Sequence, residues 1–235
     1  MHLFYTPDIT PQNPDWFLTE EESKHCTRVL RLEKGDEVNL IDGKGGLYTA
    51  TISDAHPKRT ILHITSVVTG YGKRNHYLHV AIAPTKNIER TEWFLEKATE
   101  IGIDEVSLII TQRSERKEAK AERLNKIITS AIKQSLKAYH PILNEPVSFN
   151  KFLSQPFEGQ KFIAHCAEGE KLSLRDQLKP QGKYLILIGP EGDFAEKEIA
   201  DALQNDFKPI TLGESRLRTE TAALEACFEI NFLNR

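Results

Sequence analysis

The sequence predicts an α/β fold, a mainly parallel sheet with helices on both faces, preceded by a small N-terminal β-rich module. Three patterns predict it. From residue 77 onward, apolar strand-like runs alternate with segments of helical period, as expected of βα units in a parallel sheet. Between 37 and 68, short apolar runs are separated by a glycine-rich turn, as in a small antiparallel barrel or sandwich. The stretch Thr69-Gly70-Tyr71-Gly72-Lys73-Arg74-Asn75 has glycine and charge but no apolar period, so it marks a boundary between units at 1–70 and 71–235.

The elements follow in chain order. Thr19 as N-cap and Glu22 three residues on form a capping box for a helix from Glu20 to Leu32. On it His25, Val29 and Leu32 share one side, and Lys24, Arg28 and Arg31 another, the only compact basic face of the first unit. Val38 to Ile41, Leu47 to Ile52 and Thr60 to Val68 read as strands, the first two joined by a turn at Asp42-Gly43-Lys44-Gly45-Gly46. In the second unit Tyr77 to Ala83 is a strand, Asn87 to Ile101 a helix closed by Gly102, Val106 to Ile110 a strand, and Ala121 to Ala138 a helix ended by Pro141. Strands follow at Phe162 to Cys166, Tyr184 to Ile188 and Pro209 to Leu212, with helices near 195–205 and 219–233. Trp93 and Phe94 read as core residues of their helix.

At 235 residues and 39% hydrophobic content the chain can bury a sizeable core. Residues 1–20 hold Asp8, Asp15, Glu20 and three prolines with no continuous apolar run, so the expectation is a soluble, cytoplasmic protein without membrane association. Cys26, Cys166 and Cys227 are too few and too scattered for a disulfide framework or a zinc site, and each reads as a small buried hydrophobe. The close pair His76 and His79 would point to opposite faces of one strand, so no metal is expected.

The formal charge of -3 hides an uneven distribution. Residues 1–70 carry 7 Lys plus Arg against 10 Asp plus Glu, whereas 113–137 carry 8 against 3. The second segment is the kind of local basic patch that phosphates attract, and overall charge is a poor guide to it. Leu124, Ile127, Ile128, Ala131, Ile132 and Leu136 form the core-facing stripe there, so Arg123, Lys126, Lys133 and Lys137 fall off it; Arg113, Arg116 and Lys117 precede it.

Chemistry is concentrated near the C-terminus. The apolar run Leu185 to Ile188 stops at Gly189-Pro190-Glu191-Gly192-Asp193, where proline fixes φ and glycines allow close backbone approach. Asp193 and Glu196 also read as a capping box for the next helix. Some twenty residues later come Leu212-Gly213 and Leu217-Arg218-Thr219-Glu220-Thr221-Ala222, again at a strand-to-helix junction. Exposed amides at such sheet edges are where α/β proteins bind ligands. The dinucleotide fingerprint G-x-G-x-x-G is absent, which disfavours a nucleotide-binding Rossmann unit.

The pairing of Gly-Pro-Glu-Gly with Leu-Arg-Thr-Glu-Thr-Ala resembles the trefoil-knotted (SPOUT) S-adenosylmethionine-dependent RNA methyltransferases. It is most similar to the family that methylates uracil N3 in small-subunit (16S) ribosomal RNA. Further echoes run from His25 to Leu32, through Lys97 to Gly102 and Gln112-Arg113-Ser114, to Ala131 and Gln134-Ser135, so the likeness covers nearly the whole chain. One departure is Asp193, where the family usually carries glycine.

The resemblance implies a C-terminal trefoil knot, a PUA-like RNA-binding barrel at the N-terminus and a homodimer. It implies S-adenosylmethionine as cofactor, held by Gly189, Pro190, Glu191, Gly192, Leu212, Gly213, Leu217, Thr219, Thr221 and Ala222. Small-subunit ribosomal RNA, free or in the assembled subunit, would meet Lys24, Arg28, Arg31, Lys86, Arg90, Arg113, Arg116, Lys117 and Lys137. Transfer from a sulfonium to the weakly acidic N3–H of uracil needs proton removal and a cation beside the developing anion. Arg218 is the first choice for the cation; for the base the residues offer Glu191 and Glu220. The alternative readings are a knotted methyltransferase acting on a ribose 2′-hydroxyl or on transfer RNA, and a non-catalytic RNA-binding protein.

Overall fold

A computed structural model describes residues 2–235, which divide into two compact units. The first comprises the chain up to Lys73 together with Ile132–His140. It contains β1 (Leu3–Tyr5), β2 (Asp15–Phe17), α1 (Glu20–Lys24), β3 (Glu37–Ile41), β4 (Leu47–Asp54) and β5 (Ile61–Val68). The strands form one curled five-stranded sheet in the order β1-β3-β4-β5-β2, a half-barrel with β1 and β2 at its edges rather than a closed ring. All neighbours are antiparallel except β1 and β3. On β4 the alternation does the folding: Tyr48, Ala50 and Ile52 face a core with Phe4, Leu40 and Leu62, while Thr49 and Thr51 stay half-exposed.

The predicted long helix at 20–32 is corrected to a short one. Thr19 does cap α1, its Oγ1 accepting from the Glu22 amide at 3.3 Å. Beyond Lys24 the chain widens into a π-helical turn, His25–Val29, and Arg31 adopts φ 57°. A widened turn rotates the side chains that follow, and Val29 is 65% exposed while His25 is half-buried. The same break removes the periodicity that set Arg31 beside Lys24 and Arg28, and Lys24 pairs with Glu20 at 2.7 Å.

The second unit is Arg74–Ala131 with Pro141–Arg235. Its elements are β6 (Tyr77–Ile82), α2 (Ile88–Ile101), β7 (Glu105–Ile110), most of α3 (Ala121–Gln134), β8 (Ile142–Ser148), α4 (Phe149–Leu153), β9 (Gln160–Ala164) and β10 (Leu172–Ser173). They continue with α5 (Leu174–Gln177), β11 (Lys183–Ile188), α6 (Glu196–Gln204), β12 (Lys208–Thr211) and α7 (Thr219–Leu233). Seven parallel strands run β10-β12-β9-β11-β6-β7-β8. Tyr184 to Ile188 are buried without interruption because β11 lies between β9 and β6 with both faces covered. Each such aliphatic burial contributes about 1.5–3 kcal/mol.

Helix ends follow local chemistry. Asn87 caps α2 through its side chain, and Gly102 at φ 132° ends it, with its amide on the Ala98 carbonyl at 2.8 Å. The helix α3 stops at Gln134, four residues before the expected Ala138, because Leu136 turns left-handed at φ 56°. Residues 132–140, including Lys137, therefore cluster with the first unit although the sequence places them within the second. The strand β8 escapes prediction because it contains Pro146; it is an edge strand with a register shift, the setting in which proline is tolerated.

His79 on β6 is buried between Ser107 and Glu105, its Nε2 2.9 Å from Ser107 Oγ. Burial pushes its pKa down to about 4, with Glu105 opposing. Between that value and the ordinary pKa of about 6.5 the unfolded chain binds the proton and the folded one does not, so stability falls as pH drops through this window. Denaturant unfolding at pH 7 and pH 5 should show the loss for the wild type and a smaller one for His79→Gln; equal losses would refute the assignment.

Candidate functional site

The loops at the carboxyl ends of β9, β11 and β12, three neighbouring parallel strands, meet the first turn of α7 around one cavity of about 840 Å³. That lies within the roughly 300–1,000 Å³ of small-molecule sites. Gly189, Pro190, Glu191 and Gly192 line it on one side, and Leu212, Gly213, Leu217, Arg218, Thr219 and Ala222 on the other. Gly213 takes φ 117°, with open space where a Cβ would stand, so only glycine fits its backbone without strain.

The bend at 189–194 carries one left-handed residue. The left-handed torsion falls on Asp193, at φ 61°, and not on a glycine. Its carboxylate offsets the strain by accepting from the Phe194 amide and, across the cavity rim, from the Cys166 amide, both at 2.8 Å. Asp193 is thus a latch between two cavity loops. It is not the N-cap: that position is Ala195, and Glu198 at N3, not Glu196, accepts from the Ala195 amide at 2.9 Å. A Cβ on Gly189 would lie 3.1 Å from the Phe194 ring, which explains that glycine; one on Gly192 would make only ordinary contact with Arg113.

Two arginines expected at phosphates also brace the loops: exposed Arg113 and half-buried Arg116 both donate to backbone carbonyls. Arg113 donates to the carbonyls of Gly192 at 3.0 Å and Phe194 at 3.3 Å. Arg116 donates from Nε to the Thr85 carbonyl at 3.1 Å and from Nη2 to the Lys86 carbonyl at 2.8 Å. Glu191 closes the frame, accepting from the Lys86 amide at 3.0 Å, while Lys86 Nζ pairs with Glu115 at 2.7 Å. A carbonyl needs a donor when its loop leaves regular structure, and arginine's fork supplies several at once.

A second cavity of about 600 Å³ adjoins the first, and Arg90, Arg216, Leu217 and Arg218 border both. Glu220 and Thr221 line this second space. Glu220 is 7% exposed; its Oε1 lies 3.8 Å from Arg90 Nε, and its Oε2 is buried without a hydrogen-bond partner. Arg218 is exposed and takes the N-cap position of α7 through its backbone alone, leaving the guanidinium available to the cavities.

Sequence reading missed Arg216, which had no motif of its own, and His165, which lines the first cavity with its Nδ1 buried and unpartnered. Burial first and Lys171 second hold His165 below its ordinary pKa, with Asp193 opposing, which favours the neutral imidazole. Cys166 is exposed and lines the same cavity, contrary to its reading as a buried hydrophobe; Cys26 and Cys227 are buried. Trp93 is 41% exposed in the second cavity whereas Phe94 is fully buried: successive helix residues point about 100° apart, so only one of them faces the core.

Comparisons with known proteins agree with this geometry. A family model for an RNA methyltransferase domain matches residues 73–231, and one for an RNA methyltransferase PUA domain matches 18–65. The chain is 29% identical over 226 residues to the ribosomal RNA small subunit methyltransferase E of Synechocystis, covering 92% of this chain and 72% of that one. Among solved structures, a probable rRNA methyltransferase from Porphyromonas gingivalis superposes with a TM-score of 0.92 at 41% identity, covering 100% and 98% of the two chains. The ribosomal RNA small subunit methyltransferase E of Neisseria gonorrhoeae, bound to S-adenosyl methionine, gives 0.90 at 27% identity over 99% and 98%. With the two-loop cavity at the strand ends and a family model spanning well over half its length, the chain belongs to the RNA methyltransferase family.

Proposed function

We propose that this protein methylates N3 of a uracil in small-subunit ribosomal RNA, with S-adenosylmethionine as donor, as a homodimer of knotted domains in the cytoplasm. The observation that carries the reading is the pair of adjoining cavities: one fits a donor, the other fits an acceptor, and Arg218 stands between them. The first is large enough for the donor, and its buried, unpartnered His165 Nδ1 and open Gly213 backbone suit a polar, partly flat molecule. Residues 188–192, Leu212, Gly213, Leu217, Thr219 and Ala222 would hold it. When bound, it supplies an electrophilic methyl carbon on a sulfonium.

The chain's own residues supply the rest. Glu220 is the better base than Glu191, because one Glu191 oxygen already holds the Lys86 amide while a Glu220 oxygen has no partner. Arg218 stabilises the anion left on the uracil carbonyl oxygens. Since N3 lies on the Watson–Crick edge, the acceptor must be unpaired. The related ribosomal RNA small subunit methyltransferases supply small-subunit ribosomal RNA as the target class. The stacked rings of Phe228 and Phe232, 44% and 65% exposed on α7, support a dimer through that helix.

Mass analysis of ribosomal RNA nucleosides with and without the enzyme tests the function. 3-Methyluridine is the expected product; 2′-O-methylated nucleosides, or no donor binding at millimolar concentration, would overturn it.

Beside Arg113 and Arg116, whose guanidinium groups also hold loop carbonyls, Lys117 and Lys120 border a cavity with Arg123 and are free of that frame to meet phosphates. Lys117→Ala with Lys120→Ala should weaken RNA binding and reduce the slope of log K against log salt by about 0.7–0.9 for each lost contact. An unchanged slope would return these lysines to plain solvation.

A further inference from the structure

We infer that the second cavity is the pocket for the flipped base, and that Trp93 is its stacking platform. The inference rests on the uracil reading above and adds a residue that no motif marks. An indole 41% exposed inside a concave space is unusual for a ring of that size, which ordinarily seeks burial. Around it stand three cations, Arg90, Arg216 and Arg218, and one buried carboxylate oxygen that lacks a partner, on Glu220. Uracil matches that set: a flat face for the indole, two carbonyl oxygens for the guanidinium groups, and an N3–H donor for the carboxylate. The cavity opens beside the donor cavity, since Arg90, Arg216, Leu217 and Arg218 border both.

An unpartnered buried carboxylate oxygen costs stability unless something donates to it. Arg90 satisfies only the other oxygen, and loosely, at 3.8 Å. The N3–H of a bound uracil would supply that donor.

The test uses a ribosomal RNA fragment that the wild-type enzyme methylates, and the same fragment with an abasic site at the mapped nucleotide. Trp93→Ala should weaken binding of the first by roughly 5- to 150-fold, the value of one lost stacked base, and leave the abasic fragment unaffected. Trp93→Phe should restore most of the affinity, and calorimetric donor affinity should not change in either variant. Equal weakening of both fragments, no weakening at all, or a change of oligomeric state on light scattering would overturn the platform role. If base-dependent weakening occurs but the product is not 3-methyluridine, the pocket stands and the uracil reading falls.

Discussion

Replacing Arg218 by alanine should lower single-turnover methylation by about 10²–10³-fold, the usual effect of deleting a group that stabilises developing charge. Donor affinity should stay largely intact. The separation is expected because Arg218 supports α7 through its backbone: the Ala222 amide donates to its carbonyl at 2.8 Å, and its side chain caps nothing. Alanine keeps that backbone bond and takes away only the guanidinium bordering the two cavities. Arg218→Lys should recover part of the rate, since the charge returns but the planar fork that can grip a carbonyl does not. Calorimetric titration of the donor beside single-turnover rates decides the matter. A parallel fall in affinity and rate would make Arg218 a cofactor ligand instead.

Much of this site was legible because backbone requirements leave marks in sequence. The uninterrupted Leu185 to Ile188 run announces a strand covered on both faces, and the glycines at 189 and 213 announce close approach and a left-handed bend. What was not legible depends on partners distant in the chain. Arg113 and Arg116 look like phosphate ligands from composition, yet their acceptors are carbonyls some 30 to 80 residues away. Asp193 looks like a helix cap, yet one of its oxygens holds Cys166. Nothing in 132–140 signals that it leaves the second unit, because only the left-handed Leu136 breaks the helix, and leucine is not a residue chosen for that torsion. Trp93 and Phe94 are neighbours of similar character, and only the orientation of α2 against α7 decides which is buried.

Glu220→Gln should reduce turnover at neutral pH by about 10²–10⁴-fold, the usual contribution of a positioned general base. The amide keeps the size of the side chain and an oxygen facing Arg90, but it cannot accept the N3 proton. A purely structural role would look different. If Glu220 only complements the α7 N-terminus, its neutralisation costs about 0.3–1 kcal/mol of stability, seen as a lowered melting temperature with turnover nearly unchanged. The pH profile separates the two. In the variant, alkaline solution ionises the imide without the protein's help, so the rate should climb with pH and approach that of the wild type. A deficit that is constant across pH would exclude Glu220 as the base. Glu191→Ala provides the counterpart: with the acceptor of the Lys86 amide removed, it should loosen the donor loop and weaken donor affinity without any alkaline rescue. Reversal of the two patterns would transfer the proton to Glu191.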